Sequence, residues 1–139
     1  MQDLYADFHP SVLQIIESIE PGALYKWGLR DREPLQHWTS GRVSMLGDAA
    51  HPMLPYLGQG AVMAIEDGTV LGRCFATASA PEEALLRYER ARKHRANAVQ
   101  IHSRERGMAL QGSDREPPKP GRDAEALGLF DYNPACAPI

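Results

Sequence analysis

The sequence predicts an α-rich α/β chain: one short helix, a little strand, and two long helices preceded by a loop rich in proline and glycine. Three observations predict it. Apolar residues recur at helical spacing over residues 11–19, 61–78 and 81–110. Two short runs, residues 24–29 and 43–46, have strand character. Clusters of proline and glycine, Pro21-Gly22 and Pro52 to Gly60 among them, separate these segments.

In the first helix, Val12, Ile15, Ile16 and Ile19 form one face, Pro10 suits the first turn, and Pro21-Gly22 stops the element. Residues 24–29 (LYKWGL) alternate roughly between apolar and polar and read as a strand, broken at Asp31-Arg32-Glu33-Pro34. Leu35 to Ser40 reads as a polar connection ending in Gly41. Residues 43–46 (VSML) are expected to be a strand buried on both faces of a sheet, ended by Gly47-Asp48. Pro52, Pro55, Gly58 and Gly60 make the following stretch a loop. The second helix has Val62, Ile65, Val70, Leu71 and Phe75 among its apolar members. A proline followed by acids, Pro81-Glu82, starts the third. Its predicted stripe is Ala84, Tyr88, Ala91, Ala98, Ile101 and Met108. Residues from 111 on turn to Gly, Pro and charge, an exposed or disordered linker, before Leu127, Leu129, Phe130 and Tyr132, expected to pack back on the chain.

Composition removes several classes of function. The 139 residues suffice for one core, and 43% hydrophobic with 24% charged residues is ordinary for a globular protein. A net charge of −3 implies no general affinity for nucleic acid. No apolar run approaches the roughly 20 residues of a membrane span, and the acidic start MQDLYADFHP is not a signal peptide, so a cytoplasmic location is expected. Cys74 and Cys136 lie far apart and are expected to be free thiols.

The segment that carries chemistry is residues 41–72, GRVSMLGDAAHPMLPYLGQGAVMAIEDGTVLG. It is a strand, an acid, a stiff glycine-bearing loop and a helix. In α/β sheets ligands sit beyond the carboxyl ends of strands, where this order delivers Asp48. A carboxylate there accepts hydrogen bonds from sugar-like hydroxyls. Pro52 and Pro55 stiffen the loop, while Gly58 and Gly60 allow backbone to approach a flat ligand. The next helix points its unpaired N–H groups and positive dipole end at the same place.

At these residues the sequence resembles the class A flavoprotein monooxygenases of the salicylate hydroxylase and 6-hydroxynicotinate hydroxylase type. Their second FAD signature reads much like GRVxLLGDAAHxMxPxxGQGxNxAIEDA. Gly41-Arg42-Val43, residues 46–52 (LGDAAHP), Pro55, Gly58-Gln59-Gly60 and Ala64-Ile65-Glu66-Asp67 match it. Asp31-Arg32 with Pro34 and Trp38 resembles that family's return from the substrate-domain sheet, and residues 86–92 (LRYERAR) resemble its long C-terminal helix.

The resemblance implies the end of a substrate-domain sheet in residues 1–38, one strand of a Rossmann-like FAD domain with two long helices in residues 39–111, and a linker and tail in residues 112–139. Asp48 would hold a ribityl hydroxyl of FAD. The backbone of Gly58, Gln59, Gly60, Ala61 and Val62 would meet the isoalloxazine, and the helix start would stabilise negative charge on the reduced ring. Pro55 and Tyr56 would lie toward a small aromatic substrate of phenol or hydroxypyridine type, hydroxylated with NAD(P)H and O2. Val62 and Met63 depart from the signature's polar residues and Gly68 from its usual Ala, the last costing about 1 kcal/mol mid-helix. Nothing here resembles the GxGxxG fingerprint that grips the ADP half of FAD. The chain therefore resembles a C-terminal fragment, expected to be inactive alone and to associate with the missing N-terminal FAD-binding portion or with itself. The alternative is a non-catalytic helical module that binds a partner, or the complementing half of a split flavoprotein.

Simpler readings stand beside these. His51 with Glu66 and Asp67 has the residue types of a metal site, but the intervening prolines suit a cofactor loop better and no metal is expected. Glu66 and Asp67 are expected to be solvated or structurally paired, with no catalytic role. Residues 87–106 hold seven Lys/Arg against two Glu, expected to be a solvated helix face. Trp27 and Trp38 are expected to be packing residues rather than cofactor stackers.

Overall fold

A computed structural model describes residues 2–111, 125 and 127–139. The linker expected from residue 112 therefore lies almost wholly outside the described residues. After a 3-10 turn at Gln2–Tyr5, α1 spans Pro10–Glu17 and is capped by His9, whose side chain accepts the Ser11 N–H. Val12 and Ile16 are only half-buried, and no residue of α1 is fully buried.

The strand expected at residues 24–29 does not form. Tyr25 is 72% and Trp27 82% exposed, so this Trp is not interior. A strand needs a neighbour for its backbone N–H and C=O groups, and none lies beside this segment among the described residues.

Trp38 opens the ordered part. The two-residue strands β1 (Thr39–Ser40) and β2 (Val43–Ser44) pair antiparallel, Thr39 opposite Ser44 and Ser40 opposite Val43. Gly41 turns the chain between them at φ +57°. The run at residues 43–46 is therefore a hairpin arm rather than a strand buried on both faces, and Val43 is 70% exposed. The hairpin hangs from α3: Glu89 accepts the N–H groups of Trp38 (3.0 Å) and Thr39 (2.8 Å) on one carboxylate oxygen.

The bulk is an antiparallel pair of helices, α2 (Gly60–Thr77) and α3 (Pro81–Gln111). Glu83 in the first turn of α3 accepts both the N–H and the hydroxyl of Ser79, which ties off the short connection between them. One apolar cluster joins Trp38, Ala50, Val70, Cys74, Ala84, Tyr88 and Ala96; a second joins Met63, Val99 and Leu129. The tail does fold back through Leu129, although Phe130 is exposed.

The two long helices stand where periodicity placed them, but their buried faces differ from the expected ones. In α2 the buried residues are Met63, Glu66, Asp67, Val70 and Cys74, while Val62, Ile65 and Phe75 face outward. In α3 they include Arg92, Gln100, Ser103 and Gly107, while Ile101 and Met108 are exposed. The interior between the helices thus mixes polar side chains with apolar ones, among them the expected Val70, Ala84 and Tyr88. No described helix is long and apolar enough to cross a membrane.

Candidate functional site

Leu46 is extended, and Gly47 then takes a left-handed φ of +58° that starts a one-turn 3-10 segment, Gly47–Ala49. A side chain at 47 would also crowd the Ala64 Cβ at 3.2 Å, so glycine is required twice over. This turn holds Asp48 at the surface. A second 3-10 turn, Pro55–Leu57, ends at Gly58 with φ +65°, and α2 begins two residues later. Gln59 caps α2 without a side-chain hydrogen bond, and its first turn carries no acid. The leading N–H groups at Gly60, Ala61 and Val62 thus form the open, electropositive end of an 18-residue helix.

These pieces converge. One cavity of about 600 Å³ is lined by Leu46, Gly47, Asp48, Met53, Leu54, Pro55, Gly58, Gly60, Ala61 and Ala64. It brings together Asp48, Pro55, Gly58, Gly60 and Ala61 among the residues singled out from sequence. Gln59 and Val62 flank it on the backbone of the helix start. The Tyr56 ring lies elsewhere, against the backbone of Gly107 in α3, with its hydroxyl accepting from Gln111 Nε2 at 2.5 Å. Ser103 of α3 donates to the Leu54 carbonyl, so the C-terminal half of α3 braces the loop before α2.

Beneath the cavity lies a charge network that sequence reasoning missed. Asp67, fully buried, accepts the Gly47 N–H at 3.1 Å, contacts His51 Nε2 at 2.6 Å and binds Arg92 Nε at 2.8 Å. Arg92 Nη1 also lies 2.7 Å from Glu66, and Arg95 grips both oxygens of Glu66 at 2.9 Å. Tyr132 of the tail covers both guanidiniums, 4.2 Å from Arg95 and 5.1 Å from Arg92 to the ring centroid. Burial acts to raise the Asp67 pKa, but hydrogen bonds from His51 and Arg92 outweigh it and hold the carboxyl below its ordinary value. Burial likewise opposes the charge of Arg92, and Asp67 more than restores it. Glu66 and Asp67 are paired structurally, not solvated, and His51 is committed to Asp67. Two carboxylates of α2 facing Arg92 and Arg95, one helical turn apart on α3, were the available sequence signal.

The sequence profile of the family described as an FAD binding domain matches residues 3–103. The chain belongs to that family. It is 43% identical over 102 residues to 6-hydroxynicotinate 3-monooxygenase of Pseudomonas fluorescens, covering 72% of this chain and 26% of that protein. It is 51% identical over 79 residues to 3-hydroxybenzoate 6-hydroxylase 1 of Aquipseudomonas alcaligenes, covering 57% and 20%. Klebsiella pneumoniae HpxO, in a crystal structure complexed with FAD and uric acid, superposes with a TM-score of 0.75 at 30% identity over 94% of this chain and 31% of that one. This FAD binding domain segment spans about a quarter of the length of its curated relatives. Its helix-rich fold with a small two-stranded sheet matches part of the fold of that FAD complex.

Proposed function

We propose that the cavity between Asp48 and the start of α2 is the ribityl and isoalloxazine end of an FAD site, in an enzyme that hydroxylates a phenol- or hydroxypyridine-type ring. The observation that carries this reading is the convergence of Asp48, Gly58, Gly60 and Ala61 on one cavity. The donor set suits the group: a surface carboxylate for ribityl hydroxyls, unpaired helix N–H groups for the polar edge of the ring, and glycine backbone where a flat face must approach. Asp48 would accept from the ribityl chain. The backbone of Gln59, Gly60, Ala61 and Val62 would face the pyrimidine edge, and the dipole of α2 would favour negative charge there. Pro55 would border the aromatic substrate, while the ring of Tyr56, next in the chain, is turned away against Gly107. When bound, FAD supplies oxygen transfer from O2 at the expense of NAD(P)H; the protein orients it and keeps the site dry.

In this reading residues 1–38 are the tail end of a substrate-binding domain and residues 39–111 the C-terminal part of the FAD-binding domain. These 139 residues would not hydroxylate alone, because nothing in them resembles the fingerprint for the ADP half of FAD. The exposed apolar side chains of Leu24, Tyr25, Trp27, Leu29, Val62 and Ile65 are the surface a GxGxxG-bearing polypeptide would cover. Mixing the chain with such a polypeptide from a relative is expected to tighten FAD binding and to restore NAD(P)H-dependent hydroxylation, with neither component hydroxylating by itself. Turnover by the isolated chain, or none by the mixture when the two form a complex, would refute the proposal.

A further inference from the structure

The reach of Asp48 depends on a turn only three residues long, whose internal hydrogen bonds are those of Ala50 N–H and His51 N–H to the Gly47 carbonyl, 2.8 and 2.9 Å. So short a turn does not fix its own orientation. On its inner side Asp67 holds the Gly47 N–H, as described above. Its outer side presents the carbonyls of Ala49 and Ala50, and one residue meets both: Nη2 of Arg32 donates to the Ala49 carbonyl and, at 3.1 Å, to that of Ala50. Among the described residues Arg32 forms no ion pair with a carboxylate; its charge is directed at these two carbonyl dipoles.

Arg32 is itself immobilised. Its own carbonyl accepts from Gln100 Nε2 at 2.8 Å and from Arg104 Nη2 at 2.7 Å. Arg104 also pairs with Asp31 at 2.6 Å and Glu33 at 2.5 Å on either side. A rigid chain of contacts thus runs from α3, through the backbone of residues 31–33, to the outer face of the Asp48 turn. Asp67 reaches the inner face from α2. The backbone turn that carries Asp48 is held from both helices, and Arg32 on its outer side is exposed.

We propose that Arg32, which lines no part of the cavity, is a positioning residue that sets where Asp48 meets the ribityl chain. The inference rests on the flavin reading of the site. Without the guanidinium the outer carbonyls of the turn lose their tie and only its inner contacts to Asp67 remain, so the turn is held less tightly, while the start of α2 would stay in place. Loss of Arg32 should therefore weaken recognition of the sugar-alcohol chain and spare recognition of the ring.

Two probes separate these contributions: riboflavin, which carries the ribityl chain, and lumiflavin, which is the same ring without it. Each is titrated into the full chain and followed by flavin fluorescence and backbone amide shifts. The wild-type chain is expected to prefer riboflavin. In Arg32→Ala this preference should fall by roughly fivefold, as for loss of one good hydrogen bond, with lumiflavin affinity and helix content unchanged. Arg32→Lys, which keeps a donor on a flexible stem, should fall between the two and supplies the comparison if the Ala variant is poorly folded. Arg30→Ala, a neighbouring exposed cation, should behave as wild type. An equal loss of affinity for both probes would assign Arg32 a general structural role and overturn the inference alone. Failure of the wild-type chain to bind either probe would overturn the flavin reading and the inference together.

Discussion

The two halves of this molecule place their polar and apolar side chains in opposite ways. Residues 2–30 contain apolar side chains in good helical or alternating order, yet Leu4, Ile15, Leu24, Tyr25, Trp27 and Leu29 are all exposed and α1 buries nothing fully. Residues 31–111 hide Asp67, Glu66, Arg92, Gln100 and Ser103 while leaving Val62, Ile65 and Phe75 outside. Apolar pattern drives burial only where a partner surface exists. A charge is buried where its partner is already in place, as Arg92 is for Asp67. The first region leaves its apolar side chains exposed, and the second encloses a charge network within its core.

The comparison breaks most sharply at Asp67. Asp67→Ala leaves the buried Arg92 without its main partner and releases the Gly47 N–H and His51. It is expected to lower the unfolding free energy by about 3–5 kcal/mol, measured by urea denaturation. The same network gives a pH dependence. Asp67 and Glu89 are both held below their ordinary values of 3.8 and 4.5, Glu89 because the N–H groups of Trp38 and Thr39 and the Lys93 ammonium outweigh its burial. Their contribution to stability is therefore complete above those values. It is lost as pH falls below them through the lower folded-state pKa values, since the unfolded chain then binds more protons. The thermal midpoint should therefore drop as pH falls below about 5.

A smaller effect is expected at Gly107. A Cβ there would come within 2.3 Å of the Tyr56 ring. Gly107→Ala should cost about 1–3 kcal/mol through forced displacement of that ring, and Tyr56→Ala in the same chain should recover part of it. Equal stability of the single and double variants would show that the ring does not pack there. The smallest effect is expected in the first half: Trp27→Ala should change the stability of the isolated chain by no more than about 0.5 kcal/mol, while weakening its association with a GxGxxG-bearing partner.

The sequence was most legible where local chemistry decides structure. The expected helices at 61–78 and 81–110 are observed at Gly60–Thr77 and Pro81–Gln111, because proline, glycine and the Ser79–Glu83 cap set their ends locally. The cavity was legible for the same reason, since Gly47 and Gly58 take the left-handed backbone that their loop demands. The buried faces were not. The Asp67–Arg92 pair spans 25 residues of sequence, and no periodicity in either helix announces it. The strand expected at residues 24–29 fails for a related reason: alternation prepares a strand, but pairing with a neighbour makes one. Trp38, with Tyr88 and His51 against it, packs as expected, whereas Trp27 is exposed among the described residues.

The central claim is that the Asp48 turn and the opening of α2 meet one flat ligand. Backbone amide shifts of the isotope-labelled chain during riboflavin titration test it directly. The account predicts that residues 47–50 and 58–62 shift together along a single binding curve, with α1 unmoved. Shifts confined to one of those two segments, or following two different curves, would contradict it.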